Sequence, residues 1–328
     1  MKELLLLLCR YPFEETNREP LSKLLGEVTD WPALVKLINA HGIIALAAYN
    51  IKEARLGKKI PAEAMTALEN GYLRSVARNA WLTERWKEVN TILCTAGIKH
   101  ILLKGMALEH TLYGSRGLRQ MNDNDVLIKP EESVKAWELL RQAGFTAEPA
   151  KSPIFNKIMF DFGRHLPALY KDRYAIEIHD NLFDRGQKNS MIYSDPFSDT
   201  IEIIIGDTKA LILSKEMHLA YLKNHFEHHA TSGDCQLRLY NDIILLDRFN
   251  SLKMPDHFIT DPMQGNKKEF RKAAYKARIS SISPKYRLLF ILGDTFPSLK
   301  WMQKRYNCNW LKASLFYPLR IGKLRWII

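Results

Sequence analysis

"LLKGMALEHTLYGSRGLRQMNDNDVLI", residues 102–128, sets two aspartates one residue apart at the mouth of an apolar run. Val126, Leu127 and Ile128 announce a buried strand, and a carboxylate at such a place costs free energy unless something positive accompanies it. Side chains alternate along a strand, so Asp123 and Asp125 share a face, roughly 6–7 Å apart at Cα. Asn124, Val126 and Ile128 take the opposite face and turn toward the core. Two carboxylates so placed repel unless a divalent cation joins them. Mg²⁺ suits the role, being held commonly by one or two carboxylates with phosphate oxygens completing its shell.

A third acid stands in "RYAIEIHDN", residues 173–181, where Tyr174, Ile176 and Ile178 form an apolar face. Arg173, Ala175, Glu177 and His179 share the other face, which puts Glu177 in mid-strand on the polar side. Three carboxylates from adjacent strands make a cradle for two-metal phosphoryl or nucleotidyl transfer. A DxD alone is more readily a turn or cap ahead of a strand; Glu177 at matching phase tips the reading toward a metal site. An EF-hand loop is excluded, because Leu127 and Ile128 stand where oxygen donors would continue. No GxxxxGK[ST], GxGxxG, GxSxG or HExxH occurs.

The residues ahead of the pair fit the same chemistry. A strand over 98–103, then Lys104-Gly105, then a helix from about Met106 would point free backbone N–H groups at a phosphate. Gly105 allows close backbone approach, Lys104 adds positive charge, and Arg119 lies four residues before Asp123. Ordinary solvated charge is the plainer account of both cations.

The chain has 328 residues, 46% hydrophobic and 26% charged, ordinary values for a folded chain of two or three modest domains. "MKELLLLLCRYPFEE" is too short for a membrane span and reads as a first helix. Cys9, Cys94, Cys235 and Cys308 form no CxxC pair, which points to a reduced, cytoplasmic protein. The net charge of +12 lies wholly in residues 251–328, with 16 Lys+Arg against 4 Asp+Glu. Such a region suits a polyanion, either nucleic acid or an acidic membrane surface. The simpler account is a helical layer whose long cations lie over apolar surface.

Helical periodicity runs through residues 1–95, with Trp31 and Pro32 opening a helix after Asp30 and Gly97 closing the longest one. From about 98 to 183 the texture is β-α-β-α-β-β, the last pair being a hairpin around Lys171-Asp172. Helical patterning is expected again from about 207 to 248 and from 266 onward. The expected organisation is a helical region over 1–96, an α/β core over 97–206 and a strongly basic helical region over 207–328.

The pattern as a whole resembles the uncharacterised nucleotidyltransferase family of the DNA polymerase β-like superfamily. Its positions are matched by Lys104, Gly105, Arg119, Met121, Asp123, Asp125, Glu177 and His179. "HLAYLKNHFEHH…LRLYNDIILL" is similar to the family's helical follow-on, with His225 and Asp242 at its motif positions, and the resemblance covers nearly the whole chain. It implies an α+β nucleotidyltransferase fold, a mixed sheet flanked by helical regions. Catalytic and metal-binding acids would be Asp123, Asp125 and Glu177, holding two Mg²⁺ ions or Mn²⁺. Lys104, Gly105 and Arg119 would bind the NTP, with ATP as a donor. His165, His179, His225 and Asp242 would line the cleft, and an NMP group would pass to a hydroxyl on a protein, an RNA or a small molecule. Most superfamily members have Gly-Ser at the strand-to-helix turn, whereas this chain has Gly105-Met106. The alternative is therefore a weak or inactive relative that binds nucleotide or RNA.

His218, His225 and His229 share one helical face, an arrangement that can bind zinc. No fourth ligand is spaced for it, so a polar cleft face, or a His225–Asp242 hydrogen bond across the helix pair, is the better reading. Trp301, Tyr306, Trp310, Tyr317 and Trp326 read as core or interface, with base stacking as the functional alternative.

Overall fold

In a computed structural model, residues 1–183, 195–232, 236–247, 272, 275–276, 278–280 and 282–322 are described. The elements that bear on the site run in chain order α1 (Lys2–Cys9), α2 (Arg18–Gly26), α3 (Trp31–Ala40), α4 (Ile44–Glu53), α5 (Ala62–Thr95) and β1 (His100–Leu103). There follow α6 (Lys104–Thr111), β2 (Asn124–Ile128), α7 (Pro130–Gln142), β3 (Thr146–Ala147), α8 (Pro153–Phe162), β4 (Leu169–Lys171) and β5 (Tyr174–His179). The remainder are β6 (Thr200–Ile205), β7 (Thr208–Leu213), α9 (Lys215–Ser232), α10 (Leu237–Leu246), α11 (Pro284–Thr295), α12 (Leu299–Tyr306), α13 (Trp310–Ser314) and α14 (Tyr317–Gly322).

Among the described residues, seven strands form one sheet in the order β3-β4-β5-β2-β1-β7-β6. It is mixed: β1 and β7 run parallel with Leu102 beside Ile212, while β3/β4, β4/β5 and β6/β7 are antiparallel. The α+β class expected from the sequence is the one observed. Two parts of it were not legible. Residues 208–213 form β7, not the start of a helical region, because Gly206 at φ +63° lets "TIEIII" fold back on "TKALIL" as a hairpin. Helix α8 also intervenes before the β4/β5 hairpin; Ser152 caps it by accepting from the Phe155 amide, and Pro153 opens it.

The chain divides into two compact units, Met1–Asn90 with Ile101–Asp125 and Asp195–Lys267, and Thr91–His100 with Val126–Ser194 and Lys268–Ile328. In the first, α1 to α4 and the start of α5 share a core with Leu108, Tyr113 and Leu118, and with Leu222 and Phe226 of α9 and Leu237 to Leu246 of α10. Asp30 caps α3 by accepting from the Ala33 amide at 2.9 Å, as its position before Trp31-Pro32 suggested. In the second unit, Phe155 and Ile158 of α8 pack with Phe290 of α11. A side chain at Gly293 would meet the Phe155 amide nitrogen at 2.8 Å, so the two helices touch only because residue 293 has none.

Of the late aromatics, Tyr306 stacks on Phe316 at 4.1 Å and the Tyr317 hydroxyl donates to the Pro297 carbonyl at 2.6 Å. Trp310 is exposed, and Trp326 and Cys235 lie outside the described residues. No helix among the described residues is long and apolar enough to cross a membrane.

Leu8 is fully buried where α1 meets the first core. Leu8→Ala should cost about 2–5 kcal/mol, read as a lower urea midpoint with little change in slope.

Candidate metal and nucleotide site

The site begins at the turn from β1 into α6. All four residues of β1 are buried, and Lys104 then turns the chain with φ +44° to open the helix. Glycine would be the easy residue at that φ, yet a lysine takes it. Gly105 is needed for space instead, since a Cβ on it would meet Arg119 Nη1 at 2.7 Å and the Met121 side chain at 3.0 Å. Met106 points inward, its sulfur accepting from the Thr83 hydroxyl at 3.4 Å. Lys104 Nζ lies 2.7 Å from Asp125 Oδ1, with both side chains largely buried. That ion pair supplies the positive partner that a carboxylate at the head of β2 requires.

Segment 117–122, which delivers the chain to β2, is tied on several sides. Glu109, buried on α6, accepts from the backbone amides of Gly117 and Arg119. Burial raises the Glu109 pKa, and those two amides pull it back. Arg119 Nε and Nη2 reach both Asp242 oxygens at 2.8–3.0 Å, a bidentate pair with almost no exposure. Tyr113 donates to Asp242 Oδ1 at 2.9 Å, and Asn241 donates to the Tyr113 hydroxyl at 3.0 Å. Asn79 donates to the Arg119 carbonyl at 2.9 Å and Arg78 to the Asn122 carbonyl at 2.6 Å. Gly117 sits at φ +71°, and a Cβ there would meet Val76 Cα at 2.6 Å, so this loop and α5 require glycine.

Glu177 and His179 lie two residues apart on β5, and their side chains fall on one side of the strand, with Oε2 to Nε2 at 3.6 Å. His165 bridges to His179, their rings 5.4 Å apart. Burial lowers the His165 pKa, and Glu177 opposes the shift.

Asp125, Glu177 and His179 together form an acidic and histidine group able to hold a metal ion. Each offers one ligand atom, and these atoms all lie within 4.8 Å of one another. Two carboxylates suit a hard divalent cation such as Mg²⁺, and an added imidazole also suits Mn²⁺.

The sequence-selected residues thus fall into several places. Asp125 and Glu177 stand in the metal-competent group, and His179, read from sequence as a cleft residue, stands with them. Asp123 is exposed, one residue ahead of β2, and feels the charge of Arg78. Arg119 is buried against Asp242, and Asp242 receives Arg119 and Tyr113. His225 lies on α9 with its ring 4.5 Å from that of His229. Sequence reasoning missed Tyr113, Glu109 and Asn79. The one signal for Glu109 is a lone acid within the apolar "MALEHTLY".

Removing one partner of a buried ion pair strands a charge. Arg119→Met should therefore cost about 3–5 kcal/mol, and Asp242→Leu added to it should restore much of the loss in a double-mutant cycle of urea stabilities. A second expectation concerns pH. Burial, aided by Arg119, lowers the His218 pKa to about 3. The unfolded chain therefore holds the extra proton from about pH 6.5 down to about 3. Stability should be full above that window and fall within it as acid is added, by at most about 1.4 kcal/mol per pH unit from this group. His218→Gln should flatten that slope in urea titrations across the range.

The model of a family described as uncharacterised nucleotidyltransferase matches residues 27–260, well over half the chain. Comparisons with curated proteins and with solved structures gave no match. The matched stretch contains the Lys104 turn, the clamped Arg119 segment, both aspartates and the Glu177 strand, and with that extent of agreement the chain belongs to the uncharacterised nucleotidyltransferase family.

Proposed function

We propose that this protein is a divalent-cation-dependent nucleotidyltransferase that moves an NMP group from an NTP to an acceptor hydroxyl. The carrying observation is the convergence of Asp125, Glu177 and His179 within 4.8 Å in a member of this family. Asp125 and Glu177 would hold the cation, with His179 beside them and the exposed Asp123 available from the same segment. When bound, a Mg²⁺ or Mn²⁺ ion there would supply neutralisation of triphosphate charge and a lowered pKa for the attacking hydroxyl. A bond forms from the acceptor oxygen to the α-phosphorus, and the bond to pyrophosphate breaks.

The chain's own groups do the positioning. Lys104, which neutralises Asp125 in the structure, would be free to bind nucleotide phosphates if a cation were held at that carboxylate. The first turn of α6 offers backbone N–H groups beside it. Arg119 acts by holding segment 117–122 in register, since its guanidinium is committed to Asp242. The acceptor is a hydroxyl of a protein, an RNA or a small molecule, and the compartment proposed is the cytoplasm.

One observation favours a second reading, nucleotide or RNA binding without turnover. Position 106 carries a buried Met where most of the superfamily places the Ser that contacts phosphate.

Melting temperatures with each of the four NTPs, with and without Mg²⁺, separate these readings. The parent chain should gain several degrees only when NTP and Mg²⁺ are both present, and Asp125→Asn should lose that gain without unfolding. The same variant should lower transfer by orders of magnitude once an acceptor is found. A shift that ignores Mg²⁺ and weakens with salt would favour the binding reading. No shift with any nucleotide would overturn the proposed donor site.

A further inference from the structure

The second unit ends in short helices whose outward surface is unusually apolar. Leu288 on α11 is 67% exposed, Leu315 between α13 and α14 is 73% exposed and Leu319 on α14 is 65% exposed. Trp310 and Leu311 on α13 are more than half exposed. Isolated exposed leucines are ordinary, but a concentration of them within so short a stretch marks a surface meant to be covered. Leu311 lies on α13, Leu315 in the break that follows it and Leu319 on α14, so the exposed leucines come from adjoining pieces of one short stretch.

The charge on this stretch is one-sided. Asp294 is the last acid, and residues 295–328 hold seven Lys+Arg and no Asp or Glu. Some of that charge is used internally: Lys304 pairs with Glu148 at 3.0 Å, and Arg320 donates to the Asp294 and Thr295 carbonyls. Lys300, Arg305 and Lys312 are exposed, and among the described residues their side chains make no ion pair or hydrogen bond.

We propose that this C-terminal helical face docks on the surface of an anionic lipid bilayer. Trp310, Leu311, Leu315 and Leu319 enter the boundary between headgroups and acyl chains, and Lys300, Arg305 and Lys312 meet the lipid phosphates. The combination of exposed Leu and Trp with interleaved cations is that of an interfacial helix, which lies in the membrane plane. Negative leaflet potential draws such cations to the surface. The helices concerned are far too short to span.

Charge and side-chain type argue against other occupants. A second copy of the same face would set the exposed Lys300, Arg305 and Lys312 against their own counterparts. Nucleic acid would use the cations, but single-strand binding rests on aromatic stacking platforms, and most of the exposed apolar residues here are aliphatic. Aliphatic side chains are stabilised among acyl chains and gain nothing from phosphodiesters.

The test is co-sedimentation of the full chain with vesicles of pure phosphatidylcholine or of phosphatidylcholine containing one-third phosphatidylglycerol. The expected result is binding to the anionic vesicles at least about tenfold stronger than to the neutral ones, weakened by salt. Leu311→Gln/Leu315→Gln should lower it about tenfold, and Lys300→Glu/Lys312→Glu should abolish the preference for anionic lipid. Unchanged melting temperatures, expected because these side chains face solvent, separate lost docking from lost folding. Binding that survives the Leu→Gln pair would overturn the proposal in favour of a purely electrostatic surface. Absence of vesicle binding, whether or not the chain shifts RNA in a gel or self-associates through this face, would overturn it outright.

Discussion

The buried pair of Arg119 and Asp242 governs what the rest of this site can be. It joins the segment entering β2 to α10, with Tyr113 and Asn241 completing the polar network. Two charges taken out of water are tolerated only when geometry and further hydrogen bonds compensate, and here both carboxylate oxygens are occupied by the guanidinium fork. Glu109 grips the same segment through the amides of Gly117 and Arg119, and Asn79 through the carbonyl of Arg119. With residues 117–122 held from α5, α6 and α10, the direction in which Asp123 and Asp125 leave the loop has little freedom.

Lys104 and Asp125 form the second constraint, and it is one with a functional edge. Their pairing at 2.7 Å neutralises a carboxylate that is only 5% exposed. A divalent cation placed by Asp125, Glu177 and His179 would supply the same neutralisation with more charge, leaving the ammonium for phosphate. The positive φ of Lys104 fits this view, since non-glycine residues in that region persist where the surrounding structure holds them and often lie at functional sites. Gly105 serves the framework instead: its missing side chain is the space through which Arg119 passes to reach Asp242.

Much of this was legible before folding. The DxD pair, the mid-strand Glu177 and the Lys-Gly turn are local patterns, readable from alternation and turn chemistry, and they led to the family that the chain belongs to. Hairpin β6/β7 was less legible, because "TIEIIIGDTKALIL" mixes apolar and polar residues without clean alternation and joins the sheet by pairing with β1, about a hundred positions earlier. Helix α8 escaped notice because its cap and proline lie in a polar stretch between the expected strands.

The roles of the charged residues separate most sharply. By itself the sequence determined which residue types stand beside which strands, and so the family and the α+β class, since period and turn signals are set by near neighbours. Only the tertiary structure decided that Arg119 is spent on Asp242, that Lys104 answers Asp125, and that His179, not Asp123, stands in the group with Asp125 and Glu177. The reason is physical. Burial and pairing of a charge depend on what other elements bring within about 4 Å, and no spacing along a single chain records that.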